Sequence, residues 1–202
     1  MKRFSQSLLI AVFGLSSLGV FADDFSDGVA FYEQEDFPAA AAAFKKAADK
    51  GKADAQFNLG LMYLNAQGIE QDYQEAMYLF EQAAIQGNVR AQVNLARMFA
   101  KGKGVPPNYG KAVYWFKKAA DLGYADAQYS LGILYVTGNG APRDYRKAYD
   151  LFLQAAEQNN ASAQYQLGLM YFKGKAVALN MVEARKGVIL AGEYDETVPY
   201  RT

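Results

Sequence analysis

The chain has 202 residues, enough for one sizeable domain, and 51% of them are hydrophobic, which argues against a disordered chain. Lys plus Arg and Asp plus Glu balance at 21 each, which argues against nucleic acid as a partner, because a phosphate backbone demands a positive field. There is no His and no Cys, which removes the commonest general base, the thiolate nucleophile, nearly all zinc sites and any disulfide.

Residues 1–22 read as a secretory signal peptide. Lys2 and Arg3 form a positive start, Leu8 to Val20 is apolar, and Val20-Phe21-Ala22 offers a cleavage site after Ala22. The apolar run falls short of the roughly 20 residues that a spanning helix needs. Cleavage leaves 19 basic against 21 acidic residues. The expectation is an exported protein, periplasmic rather than membrane-spanning, with no Cys to carry a lipid.

From residue 25 onward the chain follows a ruler. A first unit, 25–51, ends at Gly51, and only 12 residues separate its Gly28 from Ala40. In the second unit, 52–87, the corresponding step from Gly60 to Ala76 is 16. That unit opens on "ADAQFNLGLMY", where Ala55, Leu59 and Tyr63 recur at helical spacing and form one apolar stripe. The loop "AQGIEQ" breaks the helix, and Asp72 offers an N-cap for a second one carrying Ala76, Phe80 and Ala83-Ala84. Asp72 and Glu75 also have the spacing of a capping box. Gly87 closes the unit as a left-handed C-terminal residue.

The third unit, 88–123, repeats this with "VRAQVNLARMF", "GKGVPP", Asn108, Phe116 and Gly123. The fourth, 124–159, has "ADAQYSLGILY", "GNGAPR", Asp144, Phe152 and Asn159. The fifth, 160–192, has "ASAQYQLGLMY" and Asn180, but Val188 stands in the Phe column. A tail, 193–202, follows. Gln56, Gln92, Gln128 and Gln164 are spaced by 36 residues each time, and so are Phe44, Phe80, Phe116 and Phe152. Gly60, Gly132 and Gly168 sit mid-helix at about 1 kcal/mol each against Ala, so a close approach to a small column, Ala76, Ala112, Ala148 and Ala184, is expected.

The pattern A-x-A-Q-x-x-L-G-x-x-Y, a Gly-rich loop, D-Y-x-x-A-x-x-x-F and A-A-x-x-G resembles the Sel1-like repeat, a relative of the tetratricopeptide repeat. It covers roughly residues 25 to 192. The resemblance implies an all-α fold, a right-handed superhelical solenoid of about ten helices, with atypical first and last units as caps. It further implies a protein-binding role in complex assembly or envelope signalling, with the first helix of each unit lining a concave groove.

Nothing in the remaining residues assembles a catalytic constellation. "AKGKGV" at 100–105 lacks the spacing of a phosphate loop. Carboxylates gather near the ends, at Asp23-Asp24, Glu33 to Asp36 and Glu193 to Glu196, and read as solubilising surface rather than a glycosidase pair. Tyr and Phe recurring at a fixed step, with Trp115 in the column of Leu79 and Leu151, read as packing. No cofactor is implied.

Positions that change between units are where a partner is expected. The columns are Asp54, Arg90, Asp126, Ser162; Phe57, Val93, Tyr129, Tyr165; and Leu61, Arg97, Ile133, Leu169, continued by Leu64, Ala100, Val136 and Phe172. Phe57, Leu61, Arg90, Arg97, Tyr129 and Tyr165 are the candidate contact residues, since aromatic and Arg side chains dominate binding hot spots. The reading is a non-catalytic adaptor holding a protein or peptide. The alternatives are an envelope glycan or small-ligand binder using the Tyr rings, and a hydrolase with an unrecognised site.

Overall fold

The computed structural model describes residues 23–190, in which ten α-helices and no strand occur. The first helices of the five units are α1 (Asp24–Glu33), α3 (Ala53–Asn65), α5 (Val89–Lys101), α7 (Ala125–Thr137) and α9 (Ala161–Lys173). The second helices are α2 (Phe37–Asp49), α4 (Tyr73–Ile85), α6 (Tyr109–Asp121), α8 (Tyr145–Glu157) and α10 (Met181–Leu190). Each helix packs on its neighbours in chain order, as a solenoid requires. The proposed signal peptide and the tail, with Ala191 and Gly192, lie outside the described residues.

Local chemistry sets the helix ends. The carboxylates of Asp72 and Asp144 and the amide oxygens of Asn108 and Asn180 accept hydrogen bonds from first-turn N–H groups, which have no partner inside the helix. The second helices then close on Gly51, Gly87, Gly123 and Asn159, whose φ values of 82°, 92°, 82° and 63° lie in the left-handed region.

The core runs along the stack as three neighbouring clusters. One joins units 1 and 2 through Phe44, Leu59 and Met62. The central one spans α3 to α7 through Phe80, Leu95, Trp115, Phe116 and Leu131. The last holds Phe152, Ala163, Leu167 and Met170. Trp115 is buried, as its column implied. Tyr109 departs from the core reading of the Tyr columns and is 39% exposed.

The close approach expected of the small column is present at Gly60, but an aromatic ring lies nearer still, and at Gly132 the ring is the neighbour. A Cβ on Gly60 would lie 2.9 Å from the Phe80 ring and only 3.3 Å from the Ala76 carbonyl; on Gly132 it would lie 2.6 Å from the Phe152 ring. The glycine therefore makes room chiefly for an aromatic ring. In unit 1, Gly28 does the same for Phe44, which aligns Gly28 with Gly60 despite the shorter loop.

The Gln column has a role that the ruler alone did not reveal. Gln56, Gln92, Gln128 and Gln164 each donate Nε2–H to a carbonyl at the end of the preceding second helix: Ala48, Ala84, Ala120 and Ala156. Each of those carbonyls also accepts a backbone N–H from the left-handed turn residue that follows its helix: Gly51, Gly87, Gly123 or Asn159. One side chain per unit thus uses the second lone pair of a helix-end carbonyl to link the next unit to it.

Candidate functional site

Aligning Gly28 with Gly60 places Val29 in the column of Leu61, and Tyr32 and Glu33 beside Leu64 and Asn65. These residues share the face built by the first helices. A cavity of about 300 Å³ opens there, lined by Val29, Tyr32 and Glu33 of α1, Phe44 of α2, Phe57, Asn58 and Leu61 of α3, and Arg90 of α5. Three consecutive units contribute to it. Two exposed ion pairs link α1 to the turn after α2: Lys50 bonds Asp24, and Lys52 bonds Asp23. The Lys52 ammonium and the first-turn Ser26 hold the Asp23 carboxyl well below the usual carboxylate range, and the Asp24 carboxylate pushes the Lys50 ammonium up.

The floor of the cavity is apolar and its rim polar. Phe57 is 4% exposed and tilts against Phe80 with ring centroids 5.9 Å apart. Arg90 stands over Phe57 with its guanidinium carbon 4.7 Å from the ring centre, and reaches Asp54 at 3.7 Å. That places a cation on an aromatic face at the mouth of the cavity. The Tyr32 hydroxyl accepts a hydrogen bond from Gln67 at 3.0 Å. The Asn58 amide makes no hydrogen bond among the described residues, and Glu33 makes no ion pair there.

Of the six residues anticipated from the sequence, the cavity gathers Phe57, Leu61 and Arg90. The other three stand elsewhere. Arg97 pairs with Asp126 of the next unit at 3.1 Å. Tyr129 is half-buried, its ring 6.0 Å from that of Phe152, and Tyr165 is half-buried on α9. The column Phe57, Val93, Tyr129, Tyr165 is less displayed than expected, because Phe57 and Val93 belong to the core. The sequence reading missed Val29, Tyr32, Glu33 and Asn58. The signal was present: aligning units on the Gly–Phe contact, rather than on loop length, brings α1 into register.

Among the described residues no group of Asp and Glu could hold a metal ion, and no helix is long and apolar enough to cross a membrane. What converges on the cavity is an apolar floor, one amide, one carboxylate, one phenol and one guanidinium, the few polar groups that fix a ligand's orientation in an apolar pocket.

Ten helices in regular alternation, with a pocket built jointly by successive first helices, define an all-α repeat scaffold. The Sel1 repeat model matches residues 53–88, 89–124, 125–160 and 161–186, and the chain belongs to the Sel1 repeat family. Proteins of this family are generally protein-interaction scaffolds. Among solved structures, the chain is 38% identical to c5321, a protective antigen present in uropathogenic Escherichia coli strains, with a TM-score of 0.73 over 76% of this chain. It spans only 33% of that antigen's length. It is 30% identical to a Sel1 repeat protein from Oxalobacter formigenes, with a TM-score of 0.77, covering 84% of this chain and 69% of the other. No curated protein matches it.

Proposed function

We propose that the protein is an adaptor of the bacterial cell envelope that holds a segment of a partner protein along its first-helix face. The observation that carries this reading is the cavity shared by α1, α2, α3 and α5, lined by Phe57 and Leu61, onto which one apolar side chain of the partner would dock. Arg90, Glu33 and the unpaired Asn58 amide would then meet the polar atoms on either side of it. Because the walls are packed helices, binding orders little of the protein itself, which favours affinity. The leader-like start of the sequence supports an exported site of action, and the absence of Cys suits a fold that does not depend on disulfides.

A photo-crosslinking residue at Asn58 tests the reading in cells, with one at Tyr78, 55% exposed on a second helix, as control. A partner protein is expected from Asn58 and not from Tyr78, and Leu61→Arg should abolish its capture while leaving the melting temperature nearly unchanged. Equal capture from both positions, or capture indifferent to Leu61→Arg, would overturn it. Capture that survives digestion of the envelope glycan assigns the contact to protein rather than to sugar.

A further inference from the structure

The loops inside the units line up along one edge of the solenoid. A Cβ on Gly68, Gly104 or Gly140 would meet Phe37, Tyr73 or Tyr109 of the preceding unit's second helix within 3.0 Å, so each loop rests on the first turn of the unit before it. The turns between units lie along the opposite edge.

Charge is sorted by sign along the loop edge, although the chain as a whole is balanced. The sorting is plain from the last residue of each first helix to the third residue of the second. In units 1 and 2 these segments, 33–39 and 65–75, carry Glu33, Glu35, Asp36, Glu70, Asp72 and Glu75 and no cation. In units 3 and 4 the segments 101–111 and 137–147 carry Lys101, Lys103, Lys111, Arg143, Arg146 and Lys147 against Asp144 alone. Unit 5 adds Lys173 and Lys175 against Glu183. All of these except Glu75, Asp144 and Glu183 are exposed.

Little of this charge is neutralised within the chain. None of the six carboxylates of units 1 and 2 forms an ion pair among the described residues. Of the cations only Arg146 and Lys147 do, with Asp150 at 3.5 Å and Asp144 at 3.3 Å. Lys103, Lys111 and Lys175 stand over the rings of Tyr73, Phe99 and Tyr145, at 5.3, 5.0 and 5.1 Å from the centroids. A ring face holds a cation in place without cancelling its charge. The turn edge behaves differently: there Lys50–Asp24, Lys52–Asp23 and Arg90–Asp54 pair inside the chain.

We propose that the loop edge joins two copies of this protein in antiparallel register. A two-fold axis between units 2 and 3 sets the acidic units 1 and 2 of each copy against the basic units 4 and 3 of the other. Both contacts form at once, as an isologous interface requires. A partner of one sign, such as an anionic lipid surface, would be attracted along one part of the edge and repelled along the other. A second copy matches both parts, and the balanced charge of the chain leaves no net repulsion between copies. Tyr109, 39% exposed in the first turn of α6, stands in unit 3 beside the axis with the exposed Pro106 and Pro107. They give the interface an apolar centre between its charged ends. The inference rests on the loop edge and not on what the cavity holds.

Sedimentation of the purified protein tests this. A dimer is expected at about 0.05 M salt and a monomer at about 0.5 M, where screening confines charges to near contact. Two variants reverse the charge beside the axis: Lys103→Glu with Lys111→Glu, and Glu70→Lys with Glu75→Lys. Glu75 and Lys111 occupy the same repeat position, so the fold accommodates either sign there, and an unchanged melting temperature checks it. Each variant alone should dimerise roughly tenfold more weakly or worse, because like charges then face one another. Mixed in equal amounts, the two should form a heterodimer as tight as the parent dimer, since each presents the sign that the other lacks. A monomer at every salt concentration, a dimer indifferent to the reversals, or variants that fail to pair when mixed would overturn the proposal. A monomer that binds vesicles of anionic lipid would also overturn it, and would give the basic part of the edge to a lipid surface.

Discussion

At the scale of single residues, the repeat acts as its own control, because the same position is written several times. Column 72 alternates Asp72, Asn108, Asp144 and Asn180, and all four side chains cap a helix. The two residue types cap comparably, but only Asp titrates. The backbone N–H of Lys147 holds the Asp144 carboxyl below its ordinary value of 3.8, helped by the Lys147 side chain. A carboxyl whose folded value is depressed adds stability that is complete above its unfolded value and fades as the pH falls below it. Asp144→Asn is therefore expected to leave the melting temperature near pH 7 almost unchanged and to reduce its fall between pH 4 and pH 3. Thermal unfolding at those pH values checks this, and a variant as acid-sensitive as the parent would contradict it. Gln92 makes the complementary point: Gln86 and Gln158 donate to the Oε1 of Gln56 and Gln128, but Leu122 stands at the equivalent position and leaves the buried Gln92 Oε1 without a partner.

At the scale of helix pairs, the Gly–Phe contact decides how closely the two helices of a unit approach. Gly132→Ala places a methyl group 2.6 Å from the Phe152 ring. Overpacking of that kind costs about 1–3 kcal/mol, and the gain in helix propensity returns about 1 kcal/mol, so a modest net loss is expected. For a chain of this size a loss of 1 kcal/mol lowers the melting temperature by roughly 2–4 °C. A melting temperature that is unchanged or raised would show that the ring moves freely, as the fully buried Ala96 shows unit 3 has accommodated. The same helix pairs show what was legible in the sequence. Helix type and turn positions were, because Asp, Asn and Gly at fixed steps act through local backbone chemistry. The face on which Phe57 lies was not, because a variable column reads alike whether it varies for a partner or for packing. Tyr32, Glu33 and Asn58 were hidden for a related reason: their convergence depends on three units stacking, which no single unit encodes.

At the scale of the whole molecule, energy is distributed between neighbours rather than drawn from one centre. The clusters around Phe44, around Phe80 and Phe116, and around Phe152 meet along the stack but do not share their largest side chains. In such an array stability is a sum of unit and nearest-neighbour terms, and a loss in one unit is felt locally before it is felt globally. Phe152 is 0% exposed, and Phe152→Ala removes about 3–5 kcal/mol from the last cluster. Native-state hydrogen exchange should then accelerate in α7 to α10 and stay near the parent's rates in α1 to α4, whose cluster the substitution does not touch. The boundary between the fast and slow regions should fall across α5 to α7, where the central cluster gives way to the last one. Acceleration spread evenly over all ten helices would mean that the solenoid unfolds as one cooperative unit.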